Sequence, residues 1–318
     1  LNDIGAVEHL GIETLTIGVY NTWIVRGNLS GAAQMAISLL VFMALLLYLE
    51  RLQRKSRHYQ SSRLRNRPVY RFALSSRQAF AATAACSLPV ILGFIIPVVL
   101  LLQQVGPDAF NQQLLSAAQN SVSLAVIAGL LTCGVALFIA YAHRSSIPTS
   151  RGSLARFAAL GYAIPGTVLG IGLMILLGFI TELTQGAILL TGSIAGLVYA
   201  YLVRFLSLAY GTLNDGFERL PRNLDMSARS LGKSRSSILW FIHRHLMRAP
   251  IIAAFLMVFV DAMKELPATL ILRPFNFETL STQVYGYASL GQIEDAAMPA
   301  LIIIAIGLIP IIIMMRFM

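Results

Sequence analysis

Charge is what this sequence has least of. Only 12% of its 318 residues are Asp, Glu, Lys or Arg, against about 25% in water-soluble domains. That shortage excludes an ordinary soluble protein, and apolar runs of about 20 residues place the chain in a bilayer. Cysteine is scarce as well. Cys86 and Cys133 both fall in apolar stretches without metal-type spacing, so they read as buried free thiols rather than a disulfide or a metal site. No nucleophile-plus-base arrangement stands out in the apolar runs, and no catalytic residue is expected. Residues 1–30 lack the basic, apolar, small-residue order of a signal peptide. The chain also starts at Leu1 rather than Met, so a piece of a longer polypeptide is expected.

What is present is an alternation of apolar runs and basic loops. The runs lie at 31–49, 79–102, 120–142, 157–180, 187–210, 250–272 and 296–317. The loop over 51–77 holds nine Lys/Arg and no acid, the next inner loop holds Arg144, Arg151 and Arg156, and the third holds seven Lys/Arg between Arg219 and Arg248. Among the remaining basic residues only Arg26 and Arg273 fall on the opposite side. Seven transmembrane helices in an all-α integral membrane fold satisfy this bias, with the N-terminus outside and the C-terminus cytoplasmic. The net charge of +10 is thus accounted for by topology and anionic lipid, and no nucleic-acid partner is expected.

A short repeat crosses the chain. Glu13-Thr14-Leu15-Thr16-x-x-Val19-Tyr20 recurs as Glu278-Thr279-Leu280-Ser281-x-x-Val284-Tyr285 without a gap. Each copy leads from an outer polar stretch into a final apolar run with basic residues at its end. Two homologous halves are expected, with residues 1–57 the tail of the first and 58–318 the whole of the second. Repeated membrane halves are a transporter signature, with the pathway between them.

The third basic loop carries helix punctuation. Pro221 suits a first helical position and Gly232 the position past a helix end. Leu224, Ala228 and Leu231 recur at i, i+4, i+7, with Arg222, Asp225 and Arg229 elsewhere on the wheel. Ser234 can cap a second helix carrying Ile238, Leu239, Phe241 and Ile242. Such helices either lie on lipid or fit a groove in a partner.

Residues 226–245 resemble the cytoplasmic loop of binding-protein-dependent ABC importer permeases, whose pattern is Glu-Ala-Ala, three residues, Gly, nine residues, Ile, one residue, Leu-Pro. Gly232 and Ile242 fit. Met226-Ser227-Ala228 stands where Glu-Ala-Ala belongs, and Arg244-His245 where Leu-Pro belongs. GYAIPGTVL at 161–169 and KELPATLILRPFNFETL at 264–280 resemble the ferric-iron branch, whose permeases are often fused double-length chains. The resemblance implies a type I permease fold with cytoplasmic coupling helices, its core at about 116–316, in a bacterial plasma membrane. It implies an ATPase dimer docked on Asp225, Met226, Ser227, Ala228, Arg229, Gly232 and Ile242, and a substrate-binding protein outside. It also implies a membrane subunit that binds no cofactor and leaves ATP and Mg to the ATPase. Another cargo, such as thiamine or a polyamine, or an ATP-independent channel or carrier, are the alternatives.

Two motifs mislead. Gly232-Lys233-Ser234 mimics the end of a nucleotide-binding P-loop, but the earlier Gly is Ser227 and no strand precedes it. His243-x-His245 lies among cations and reads as a solvated or headgroup-facing pair. Within the sixth run, Asp261, Lys264 and Glu265 fall at i, i+3, i+4 and are expected on one helical face. Charges there are costly, about 2.5–3.5 kcal/mol each at a bilayer centre. They either line the pathway, contact a cationic cargo, or pair with one another and with Arg204. Pro267 can break the helix and act as a hinge.

Overall fold

The computed structural model describes residue 5 and residues 11–55, 73–107, 109–145, 161, 164–187, 189–221 and 223–317. Most of the first basic loop, Arg151 and Arg156 of the second, and Arg222 lie outside the described residues.

Every regular element among these residues is helical, because a helix satisfies its own backbone groups where lipid offers no partner. A short α1 (Leu15–Ile24) leads into α2 (Leu29–Lys55). Then come α3 (Ser76–Gln104), α4 (Gln112–Ser145), α5 (Gly166–Leu183) and α6 (Ile194–Arg219). Helix α7 (Asn223–Ser230) is followed by α8, which runs through Arg235–Ile238, a π turn at Leu239–His243 and Arg244–Leu246. The last elements are α9 (Arg248–Met263), α10 (Pro267–Leu272), α11 (Leu280–Ser289) and α12 (Ile293–Phe317).

Among the described residues six helices, α2 to α6 and α12, are long and apolar enough to cross a membrane, and the bent pair of α8 and α9 gives a seventh if it forms one span. The spans expected from sequence overlap these elements but differ at their ends: α4 begins at Gln112 rather than 120, α5 at Gly166 rather than 157, and α6 runs over Ile194–Arg219 rather than 187–210. The sixth run is broken into α9 and α10. Within α3, Pro89 offers no N–H to the preceding turn, and Ile91–Ile95 widens into a π turn, a local adjustment that bilayer helices tolerate.

The main core joins α4, α6 and α9. Helix α4 contributes a stripe of fully buried small side chains, Ala117, Ala125, Ala128, Ala136 and Ala140. Against it lie Leu197, Tyr201, Phe205 and Leu213 of α6 and Val258 of α9. Lipid tails are as apolar as leucine, so close van der Waals approach, not escape from water, holds such helices together. A second cluster seats Val19 of α1 and Ala32, Ala36 and Leu39 of α2 on Val168 and Ile171 of α5.

The two copies of the repeat adopt the same local structure. Thr14 caps α1 by accepting the Ile17 N–H, and Thr279 caps α11 by accepting the Thr282 N–H. Both helices are 10 residues long. Tyr20 and Tyr285, which hold the same place in the two copies, meet edge to face with centroids 6.0 Å apart and planes at 89°.

The small-residue stripe leads to a direct test. Ala136→Leu is expected to overpack the α4 seam at a cost of about 1–3 kcal/mol, lowering the melting temperature of the detergent-purified protein in scanning fluorimetry. An unchanged melting temperature would show that the seam has slack.

Candidate functional site

Two regions contain the residues that sequence reasoning selected. The first is the loop after α6. Arg144, at the end of α4, caps α6: its Nη1 donates to the carbonyls of Phe217 at 2.5 Å and Leu220 at 3.2 Å, and its Nη2 to Pro221 at 3.1 Å. Its Nε donates to Asp225 Oδ2 at 2.7 Å. The other oxygen of Asp225 lies 2.8 Å from His243 Nε2. The His243 ring is fully buried against Phe217 and Tyr141. One carboxylate therefore ties α7 to α4 through a charge-assisted hydrogen bond, stronger than a neutral one, and brings it against His243 of α8.

This arrangement corrects the reading of the helical wheel. Asp225 faces the protein beside buried Ala228, whereas Leu224 and Leu231 are exposed, Leu231 to 81%. Met226, where the permease pattern has Glu, is 68% exposed. Ser227 and Arg229 are also exposed, and Ile242 is half-buried. His243 is not solvated as expected, although His245 is. Helix α7 begins at Asn223, two residues later than a start at Pro221 implies.

Its end is as expected. Gly232 has φ +76, its N–H donates to Arg229 O at 2.9 Å, and the Lys233 N–H donates to Ala228 O at 3.1 Å. This is the Schellman arrangement, and its left-handed residue favours glycine. Ser234 Oγ then accepts the Ser237 N–H at the start of α8. Gly232-Lys233-Ser234 thus joins two helices, not the strand and helix of a P-loop. Trp240, Phe241 and Leu246 of α8 are exposed apolar side chains like Leu224, Met226 and Leu231, and the Arg244 guanidinium covers the Trp240 ring at 4.9 Å. Between α8 and α9 the chain bends by 78° at Met247. The buried Met247 side chain sits against Gly216 of α6, where an added Cβ would fall 2.8 Å from Pro250.

The second region is the broken span. Helix α9 ends at Met263, with Lys264 at its C-cap, and α10 begins at Pro267. Asp261, Lys264 and Glu265 therefore do not share one helical face, because the helix on which that spacing was counted stops among them. Lys264 Nζ returns to Asp261 Oδ1 at 2.8 Å, with its side chain largely exposed. Glu265 turns inward, is only 6% exposed, and places Oε2 2.8 Å from Arg204 Nε.

Further bonds fix that junction. Glu265 Oε1 accepts the Ala268 N–H at 3.3 Å, satisfying a donor at the start of α10. The Glu265 carbonyl accepts the Thr269 hydroxyl at 2.6 Å and the Ser281 hydroxyl at 3.1 Å. Tyr201 and Thr269 hydroxyls lie 2.6 Å apart. Arg204 Nη1 donates to Ile164 O at 3.1 Å. Gly166 leaves room for the pair, since a Cβ there would fall 2.7 Å from Glu265 Oε1. Sequence reasoning missed Arg144, His243, Tyr201, Thr269 and Ser281 as partners. Their contacts are long-range, and no spacing along the chain encodes them.

Beyond the break, Arg273 pairs with Glu278, and Glu278 Oε2 accepts the Thr282 hydroxyl at 2.7 Å. A cavity of about 840 Å³ opens here, lined by Gln113, Asn120, Arg273, Asn276, Glu278 and Tyr287 among others. Among the described residues no group of three His, Cys, Asp or Glu side chains could hold a metal ion.

The fold matches solved structures. A chain of a bacterial alginate ABC transporter, solved in complex with an alginate pentasaccharide-bound periplasmic protein, superposes with a TM-score of 0.61 at 13% identity, covering 75% of this chain and 91% of that one. The fold is that of an ABC transporter permease. A second structure of a bacterial ABC transporter involved in alginate import gives a TM-score of 0.59 at 13% identity, covering 75% of this chain and 95% of that one. No protein-family model matches the chain. Among curated proteins, the Fe(3+)-transport system permease protein FbpB 2 of Haemophilus influenzae is 27% identical over 328 residues, covering 100% of this chain. This chain spans 63% of that relative's length. A probable molybdenum ABC transporter permease protein of Haloferax volcanii is 29% identical, covering 69% of this chain and 82% of that protein. The ferric transport system permease protein FbpB of Actinobacillus pleuropneumoniae is 28% identical over 62% of this chain and 27% of its own length.

The ion pair can be tested by a mutant cycle. Glu265→Gln leaves the Arg204 charge buried without its counter-charge, and losing one partner of a buried pair costs about 3–5 kcal/mol. A drop of several degrees in melting temperature is expected, largely recovered in Arg204→Met/Glu265→Gln. Equal melting of the single and double variants would mean that the two side chains are not coupled.

Proposed function

We propose that this chain is the membrane subunit of a binding-protein-dependent ABC importer, and that its cargo is ferric iron. The observation that carries this reading is the similarity to a named Fe(3+)-transport permease along the whole chain. In this reading the chain performs no chemistry. It forms the pathway in a bacterial plasma membrane, with its N-terminus outside and its C-terminus cytoplasmic, and a separate ATPase dimer uses ATP and Mg.

The ATPase docks on α7 and α8. Support comes from their exposed apolar surface and from Asp225, whose contacts to Arg144 and His243 would pass a push on α7 into α4 and α8. The binding protein docks on the opposite side, on loops that include residues 273–295. Closure of the ATPase dimer then rocks two halves and opens the pathway on the other side. Residues 1–57 belong to the first half and 58–318 to the second, a division supported by the matching caps and lengths of α1 and α11. Arg204 and Glu265 act as a fixed junction beside the pathway. Both Glu265 oxygens are occupied by protein donors, which favours positioning over direct metal contact. Pro267 marks the flexing point, and Lys264, held by the half-buried Asp261, forms the exposed side of the break.

The decisive measurement is uptake into proteoliposomes containing the full permease, its ATPase and its binding protein. Ferric uptake is expected only with ATP and binding protein together. Uptake without the ATPase would point to a channel or carrier. Uptake of molybdate, 2-aminoethylphosphonate, thiamine or a polyamine in place of iron would reassign the cargo.

Docking has its own test. Gly232→Val forces a branched side chain into a left-handed backbone, and Asp225→Ala removes the tether of α7. Both variants are expected to reach the membrane at parental levels but to lose ATPase co-purification. Normal assembly and uptake in both would remove the coupling role from this loop.

A further inference from the structure

We infer that Tyr20 and Tyr285 form an aromatic closure on the axis between the two permease halves, at the outer mouth of the pathway. The inference rests on the two-half reading above. In a twofold arrangement a residue touches its own equivalent only where the axis passes close by. Tyr20 and Tyr285 are equivalents in the repeat, on helices of equal length with the same threonine cap. Their rings are in edge-to-face contact. The pseudo-twofold axis therefore runs between them.

The faces of α11 support a closing role. Gln283, Gly286, Tyr287 and Leu290 line the polar cavity, and their spacing of three, four and seven residues marks one face of the helix. Tyr285 lies on the opposite face. Helix α11 is thus a wall with the cavity on one side and the axis on the other. Neither α1 nor α11 is long enough to cross a bilayer: ten residues rise about 15 Å. Each leads into a span, α2 or α12, whose far end is basic, so the bias of the basic loops puts both short helices on the outer side of those spans.

Two rings in edge contact leave no passage for a hydrated or chelated ferric ion. The contact depends on the separation of α1 from α11, and α1 and α2 of the first half meet α5 of the second along an apolar seam, the surface on which the halves would slide. A relative tilt of the halves parts the rings without breaking either helix. The cavity behind α11 then becomes continuous with the axis, and its amides and Arg273 face the arriving cargo.

The test uses the full permease with its ATPase, reconstituted after Cys86→Ala, Cys133→Ala and replacement of any cysteine in the rest of the permease remove its native thiols. Tyr20→Cys and Tyr285→Cys are introduced together and treated with a short bis-methanethiosulfonate. Cross-linking is expected without nucleotide and should be lost after vanadate trapping with Mg-ATP. The cross-linked complex should lose uptake and regain it on reduction. Equal cross-linking in both states, no cross-linking in either, or undiminished uptake by the cross-linked complex would overturn the closure. A second variant is independent of cysteine chemistry. Tyr285→Ala is expected to admit ferric citrate into proteoliposomes without ATP, and Tyr285→Phe to remain tight; an ATP-free flux through Tyr285→Ala no greater than the parent's would overturn the proposal. If the parent complex moves a different cargo, the iron assignment fails, while the nucleotide-dependent cross-link still reports on the rings.

Discussion

A break inside a membrane span frees backbone N–H and C=O groups that hydrocarbon cannot satisfy, and the arrangement around residues 264–267 answers that constraint. Glu265 places its carboxylate on a free N–H of α10 and on Arg204, while its own carbonyl collects two hydroxyls. Those partners come from α6, α10 and α11, and Gly166 of α5 closes over the pair. Four elements are held in register by one junction. Either charge alone would be unfavourable there, so each requires the other, and the helices that carry them must stay together.

The sequence made the membrane architecture legible because its signals are local. Span length, loop charge and the capping of α7 by Gly232 all depend on neighbours in the chain. The repeat was legible for the same reason, and equal helices with equal caps accompany it. The destination of the charges was not legible. The spacing of Asp261, Lys264 and Glu265 suggests one face only while the helix continues, and Lys264 is where α9 ends. Asp225 is the sharper case. A wheel assigns leucines inward and acids outward, yet Asp225 turns inward because Arg144 and His243, distant in sequence, wait there.

That inversion has a use. A surface helix that buried its leucines would have only polar atoms to offer a partner. By fixing α7 through a carboxylate, the protein leaves Leu224, Met226 and Leu231 outside, alongside Trp240 and Phe241 of α8. Several large apolar side chains exposed on an otherwise polar loop are the kind of feature that marks an interaction site.

The elbow at Met247 has a mechanical consequence. Helix α9 is 16 residues long, a rod of about 24 Å, and its near end is set at 78° to α8. A swing of about 5° at the elbow would carry the far end through about 2 Å. That exceeds the slack of a hydrogen bond. The far end is where Lys264 begins the break, so α8 and α9 form a crank whose throw falls on the Arg204–Glu265 junction. A small rotation of α8 is thereby enlarged into a displacement at the break, with no need for the rod itself to bend.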